Sequence, residues 1–306
     1  LVLKDLSDEL NEDHAFKDEI EDISFQEIDQ VFVEEDQSID RLEDQTWSKE
    51  SPIGNFPRGP IAGTCLHKIL ERIDFNDIEN QLKVSTIIEE ELNIVNISNS
   101  FIEPINILLK RIANIPLGGP LGKFKMKNLN SKSSIKELKF DIPICHEANP
   151  INTLELSSIF REDVQNKYGS DYINKLLDLN IHSSGFLTGS IDQVFADNPN
   201  HEDAKWWVLD WKSNWIGSSL SREGIFSCGP SNYSMSRMDE EMYHHHYPLQ
   251  AHIYLLALHR FLNWRLPNYS PNKHLGGYIY VFLRGVPDKG DLERKNFPQR
   301  IPGLIV

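Results

Sequence analysis

The sequence predicts an α/β domain with a central mixed sheet flanked by helices and a helical N-terminal portion. Three observations carry this expectation. The apolar period switches from helical to strand-like near Ser134, three strand candidates follow, and a long apolar helix separates the third from a fourth. Helices on a mostly continuous sheet are the layered solution that such an order favours. Taken in order, GTCLHKILERIDF (Gly63–Phe75) sets Leu66, Ile69, Leu70 and Ile73 at i, i+3, i+4 and i+7, one apolar face of a helix. Weaker helical patterning runs from Asn76 to Asn114 and stops at the Gly- and Pro-rich loop Ile115–Gly122. KELKFDIPI (Lys136–Ile144) then alternates with period two, as a half-buried strand does. GFLTGSIDQVFA (Gly185–Ala196) and KWWVLDWKSN (Lys205–Asn214) are joined by the polar connection DNPNHEDA, a hairpin arrangement. YPLQAHIYLLALHRFLNWRL (Tyr247–Leu266) is apolar around most of its circumference and is expected to be a buried helix. GGYIYVFLRGV (Gly276–Val286) is the last strand candidate.

The charge is unevenly divided. Residues 1–50 hold 18 Asp/Glu and 4 Lys/Arg, while the other residues hold 28 acidic and 27 basic side chains. All but one unit of the formal net charge of −15 therefore belongs to the leader, and a near-neutral body can still present a basic groove to phosphate. We expect residues 1–55 to be an acidic linker or tether and residues 56–306 to form the folded domain, with SPIGNFPRGPIAGT (Ser51–Thr64) marking the boundary. The leader has neither an initiator Met nor the basic and apolar regions of a signal peptide, so a fragment of a longer protein is expected. No run approaches the ~20 apolar residues of a membrane span. Cys65, Cys145 and Cys228 are scattered and odd in number, which argues against a disulfide framework or a four-cysteine metal site and suggests a reducing, cytoplasmic setting.

The chemistry-bearing pattern is Asp192 in GSIDQVF followed by Asp210-Trp211-Lys212 in VLDWKSN, with 17 residues between the aspartates. That interval suits two adjacent antiparallel strands and their turn. Asp210 and Lys212, two apart on a strand, emerge on one face, and Asp192 converges on them if the register is right. Paired carboxylates suit a hard octahedral cation such as Mg²⁺, with the lysine beside the attacking water. The triplet alone is a weak signal, because most Asp-x-Lys sequences are solvent-facing charges. Here, however, both aspartates sit in strongly apolar strands, where an uncompensated charge is costly.

Carboxylate, carboxylate-x-lysine on successive strands is the pattern of the PD-(D/E)xK nuclease superfamily. FPRG (Phe56–Gly59), GTCLHKILERIDF, LDWKSNWIG (Leu209–Gly217), YPLQAHIYLLALHRFL (Tyr247–Leu262) and GGYIYVFLRGV resemble, in order, segments of the nuclease domains of the exodeoxyribonuclease V beta-subunit (RecB) family. The resemblance covers about Phe56 to Val286 and implies a restriction-endonuclease-like fold. It also implies Mg²⁺-dependent hydrolysis of DNA, with Mn²⁺ or Ca²⁺ able to substitute in binding. Residue by residue, it implies that His67, Asp192, Asp210 and the Trp211 backbone carbonyl are metal ligands and that Lys212 is the catalytic lysine. Glu137 would be a further acidic member of the site. Gln250 and Tyr254 match a Q-x-x-x-Y motif that contacts DNA or orients the lysine, and Trp211 stands where a tyrosine is more usual. The implied partners are single-stranded DNA, an N-terminal helicase region absent from this chain, and gamma and alpha subunits. The implied role is double-strand-break repair and recombination, by exo- and endonucleolytic cutting.

Each residue also has a plainer reading. A lone histidine beside an apolar stripe is more often packed than ligating, Glu137 suits the solvated face of an edge strand, and Gln250 and Tyr254 suit core packing. The run His244–His246 reads as a helix start or loop, because adjacent residues point in different directions. GGPLGK (Gly118–Lys123) lacks the spacing and the hydroxyl of a phosphate loop. The alternative function is a catalytically inactive, DNA-guiding module of a helicase–nuclease complex, against which stand the intact His67, Asp192, Asp210 and Lys212. A related exonuclease with an iron–sulfur cluster would need four cysteines.

Overall fold

The computed structural model describes residues 47–129, 131–145, 151–152, 157, 172–179, 182–183, 185–220, 225–295 and 300–306. Most of the expected acidic tether lies outside the described residues. Its last part, residues 47–55, packs on the body: Ile53 is fully buried, and the Ser51 amide donates to the Cys228 carbonyl at 2.9 Å.

Three helices come first. Helix α1 (Pro60–Arg72) opens with proline at its first position, where a missing N–H costs nothing. Helices α2 (Gln81–Ile94) and α3 (Ile102–Asn114) resolve the weak pattern between Asn76 and Asn114 into two elements. The Asn80 side chain caps α2 by accepting from the Lys83 amide. Arg72 ties α1 to α2 through Glu91 at 2.6 Å and Glu90 at 2.5 Å.

The sheet has five strands in the order β1 (Ser134–Cys145), β2 (Gly185–Ala196), β3 (Trp206–Lys212), β4 (Leu275–Phe282) and β5 (Leu304–Ile305). β1–β2, β2–β3 and β4–β5 are antiparallel and β3–β4 is parallel, so the sheet is mixed, as expected. A parallel pair needs a long crossover. Helices α4 (Met235–His244) and α5 (Tyr247–Arg265) lie within it.

Alternation along the strands sorts the two faces. Phe195, Trp207, Leu209, Trp211, Ile279 and Val281 join the core formed with α1–α3. On the other face, Val194 and Val208 pack with Tyr254, Leu258 and Leu262 of α5. β3 is buried on both faces, which explains its near-continuous apolar run. Helix α5 is less enclosed than its composition suggests: one stripe from Tyr247 to Leu262 is buried, while Leu256 and Trp264 are exposed. The triple histidine is the joint between α4 and α5, with His246 in the left-handed region at φ 53°. Cys65 and Cys228 are buried free thiols, and burial pushes the Cys65 thiol up to about 11. No helix among the described residues is long and apolar enough to cross a membrane.

A buried guanidinium joins the start of the body to its centre. Arg284 follows β4 and is 1% exposed. Its Nη1 donates to the carbonyls of Ile53 at 2.8 Å and Phe56 at 3.0 Å, and its Nη2 to Pro57 at 2.8 Å. Its Nε donates to the Ser213 carbonyl at 3.2 Å, one residue beyond Lys212. A planar fork with five N–H donors suits this set of acceptors, whereas a lysine cannot span it. Truncation strands several buried carbonyls at once. Arg284→Ala should therefore destabilise the fold by about 3 kcal/mol, seen as a fall of roughly 6–12 °C in the thermal unfolding midpoint. Arg284→Lys should recover less than half of that loss. Melts of both variants followed by circular dichroism check this; an unchanged midpoint in Arg284→Ala would show that the fork is dispensable.

Candidate active site

One row of residues crosses the sheet. The β2–β3 register pairs Gln193 with Leu209, so Asp192 and Asp210 face each other at the next step. Asp210 in turn pairs with Tyr280 on β4. On the other side, the β1–β2 register runs from Lys136↔Gln193 to Leu138↔Ile191, which sets Glu137 opposite Asp192. Glu137 is itself irregular, with φ 50° in a strand. A left-handed glutamate costs on the order of 1–3 kcal/mol, and such strain tends to gather at functional positions. Its Oε2 accepts from the Ser190 hydroxyl at 2.8 Å.

Both aspartates are buried, at 4% and 2% exposure, and each is met by polar groups. Asp192 Oδ2 accepts the Trp211 amide at 2.9 Å, and its Oδ1 lies 3.3 Å from His67 Nδ1. Helix α1 carries His67 there. Its Gly63, one turn earlier on the same face, comes so close to Ser213 that a Cβ would sit 2.9 Å from the serine Oγ. A side chain at Gly63 would force the Ser213 hydroxyl to turn away, so α1 lies closely against the end of β3 here.

Asp210 Oδ2 lies 2.7 Å from Lys212 Nζ. That nitrogen is also held by Gln250 Oε1 at 2.9 Å and stands over the Tyr247 and Tyr280 rings, 3.7 and 5.1 Å from their centroids. Gln250 Nε2 donates to the Tyr254 hydroxyl at 3.2 Å. Gln250 and Tyr254 thus form one chain of contacts ending on the lysine, as their four-residue spacing on α5 permits. Burial, together with Asp210, Asp192 and Glu137, pushes the Tyr254 hydroxyl well above its usual range, so it keeps its proton. Tyr280 is raised likewise, by burial and by Asp210.

Tyr247 and Tyr280 were not singled out from sequence. The signal was present only in position: Tyr280 is the β4 residue paired to Asp210, and Tyr247 opens the α5 segment.

The donor types fit a hard divalent cation: two buried carboxylates facing across one strand pair and an imidazole touching one of them. Among the described residues, no group of three or more His, Cys, Asp or Glu side chains is placed so that it could hold a metal ion by itself. Lys212 contacts Asp210, Asp192 lies opposite Asp210 on β2, and the half-buried Glu137 lies opposite Asp192 on β1.

No family model matches the chain. Among characterised proteins, it is 30% identical over 246 residues to the RecBCD enzyme subunit RecB of Haemophilus influenzae, covering 78% of this chain and 17% of that protein. The RecB subunit of Buchnera aphidicola subsp. Baizongia pistaciae is 34% identical over 234 residues, covering 76% of this chain and 17% of that protein. The subunit of Escherichia coli is 31% identical over 233 residues, with 76% and 17% covered. The chain thus spans about a sixth of the length of these relatives. With such identity sustained over three quarters of its residues, the chain belongs to the RecB family of RecBCD enzyme subunits.

Proposed function

We propose that this chain is a Mg²⁺-dependent DNA nuclease domain of the restriction-endonuclease-like, PD-(D/E)xK type, hydrolysing phosphodiester bonds in double-strand-break repair and recombination. The observation that carries the reading is the facing pair Asp192 and Asp210, buried in adjacent strands, with Lys212 Nζ 2.7 Å from the second carboxylate. A DNA-guiding module without catalysis gives no reason to keep this charge buried. The substrate would be mainly single-stranded DNA, delivered by a helicase region of the same polypeptide and cut both exo- and endonucleolytically. Gamma and alpha subunits would be its partners, in keeping with relatives that are named as subunits of RecBCD.

In this reading Asp192, Asp210, His67 and the Trp211 carbonyl hold the cation, and Glu137 adds a carboxylate at the edge. Mg²⁺, when bound, supplies Lewis-acid polarisation of the phosphodiester and a lowered pKa for an attacking water. The rest falls to the chain's own side chains. Lys212 Nζ orients the water and offsets charge that develops on the phosphate. Gln250 Oε1 and the Tyr247 ring fix where that nitrogen sits, so the motif on α5 serves to orient the lysine. Tyr254, kept protonated, anchors Gln250 from below.

Incubation of the purified chain with linear single-stranded DNA and Mg²⁺ tests the reading directly. Asp210→Ala and Lys212→Ala should each lower cleavage by about a thousandfold or more while far-ultraviolet circular dichroism stays native. Full residual activity in Asp210→Ala would sink the assignment. Gln250→Ala should lower kcat by roughly 10–100-fold with little change in KM, because it frees the lysine rather than removing a substrate contact. A rise in KM at constant kcat would instead make Gln250 a DNA contact.

A further inference from the structure

The segment that leaves β3 directly after Lys212 is held by a set of hydrogen bonds to backbone and side chain. The Ser213 carbonyl accepts from Arg284 Nε at 3.2 Å, and the Asn214 carbonyl accepts from the Tyr233 hydroxyl at 2.7 Å. The Ile216 amide lies 3.3 Å from the same hydroxyl. The Asn214 side chain is fixed as well, by the Tyr247 hydroxyl at 3.1 Å and Glu241 at 2.9 Å. Between these pins stands Trp215, only partly buried. Over its ring, 3.4 Å from the centroid, lies the guanidinium of the exposed Arg58. Arg58 comes from the loop whose carbonyls Arg284 also grips, so one buried residue sets both members of the stack.

This stack lies toward the N-terminal end of α1. Gly63 lies close to Ser213, and His67 meets Asp192 one turn further on, roughly 6 Å along the helix axis. Asp192 and Ser213, the latter two residues before Trp215, therefore approach α1 one turn apart. The lysine ring partner Tyr247 reaches both Lys212 and Asn214.

We propose that Arg58 and Trp215 form a nucleotide-binding step that seats one unpaired nucleotide beside the phosphate to be cut. This rests on the nuclease reading above and adds the contact that favours single strands. A guanidinium carries in-plane N–H groups of the kind that pair with a phosphate, and guanidinium and indole planes are both surfaces on which bases stack. Every base has a face to stack, so the step is tolerant of sequence but demands an unpaired base, which a duplex withholds. Trp215 and Arg58 are binding residues here, and Arg284 is a positioning residue.

The test uses the intact chain and fluorescein-labelled oligothymidylate, with binding followed by anisotropy in EDTA and cleavage followed in Mg²⁺. Trp215→Ala should weaken binding roughly tenfold and raise KM more than it lowers kcat, and Trp215→Phe should recover most of the loss. Arg58→Ala, at an exposed position, should lower the salt dependence of binding by about one unit of slope. A scan with a single abasic site along the oligonucleotide needs no variant and should show one register of lost affinity. Binding by Trp215→Ala and Arg58→Ala within twofold of the parent, together with a flat abasic scan, would overturn the proposal. So would a parent chain that does not bind the oligonucleotide. Binding that depends on Trp215 without cleavage would keep the stacking step while removing the nuclease reading.

Discussion

Asp192 and Asp210 face each other in the middle of a sheet, where removing an ionised carboxylate from water costs several kcal/mol unless something nearby compensates. Much of the surrounding architecture answers that demand. The Trp211 amide and His67 meet Asp192 from the adjoining strand and from the α1 layer. Lys212 meets Asp210 and is in turn confined by Gln250 and two tyrosine rings. Removing one partner leaves a buried charge stranded, which is why these contacts form a single unit rather than separate bonds.

Position is the second requirement, and it is met from outside the row. Arg284 fastens the entry loop near Phe56 to the residue after Lys212, and Tyr233 fastens Asn214 and Ile216 just beyond it. Helix α1 can then lie close enough for His67 to reach Asp192, with Gly63 close to Ser213. A site held this way loses little conformational freedom when a substrate arrives, the condition under which oriented groups act most strongly.

Much of this was legible in the sequence. The period-two runs and the polar turn between them predicted the β2–β3 hairpin, and β2 was read with its observed ends at Gly185 and Ala196. The facing aspartates followed from that register, because alternation leaves few choices once one face is buried. What escaped had physical causes. The left-handed turn at Glu137 is not encoded by residue type, since glutamate rarely adopts it. Strand β5 is two residues long and has no periodicity to read. The apolar circumference of α5 suggested full burial, yet Leu256 and Trp264 face outward, because composition does not say how many neighbours a helix has. Arg284 lay in a recognised strand run, but its role depends on carbonyls more than two hundred residues away in sequence.

The central claim is that the row from Glu137 to Asp210 is built to hold a divalent cation. Calorimetric titration of Mg²⁺ into the intact chain, beside an Asp192→Asn/Asp210→Asn variant that keeps shape and removes charge, measures this without any substrate. Saturable binding by the intact chain and its loss in the variant is the expected result. Equal heats from both chains, or none from the intact one, would contradict it.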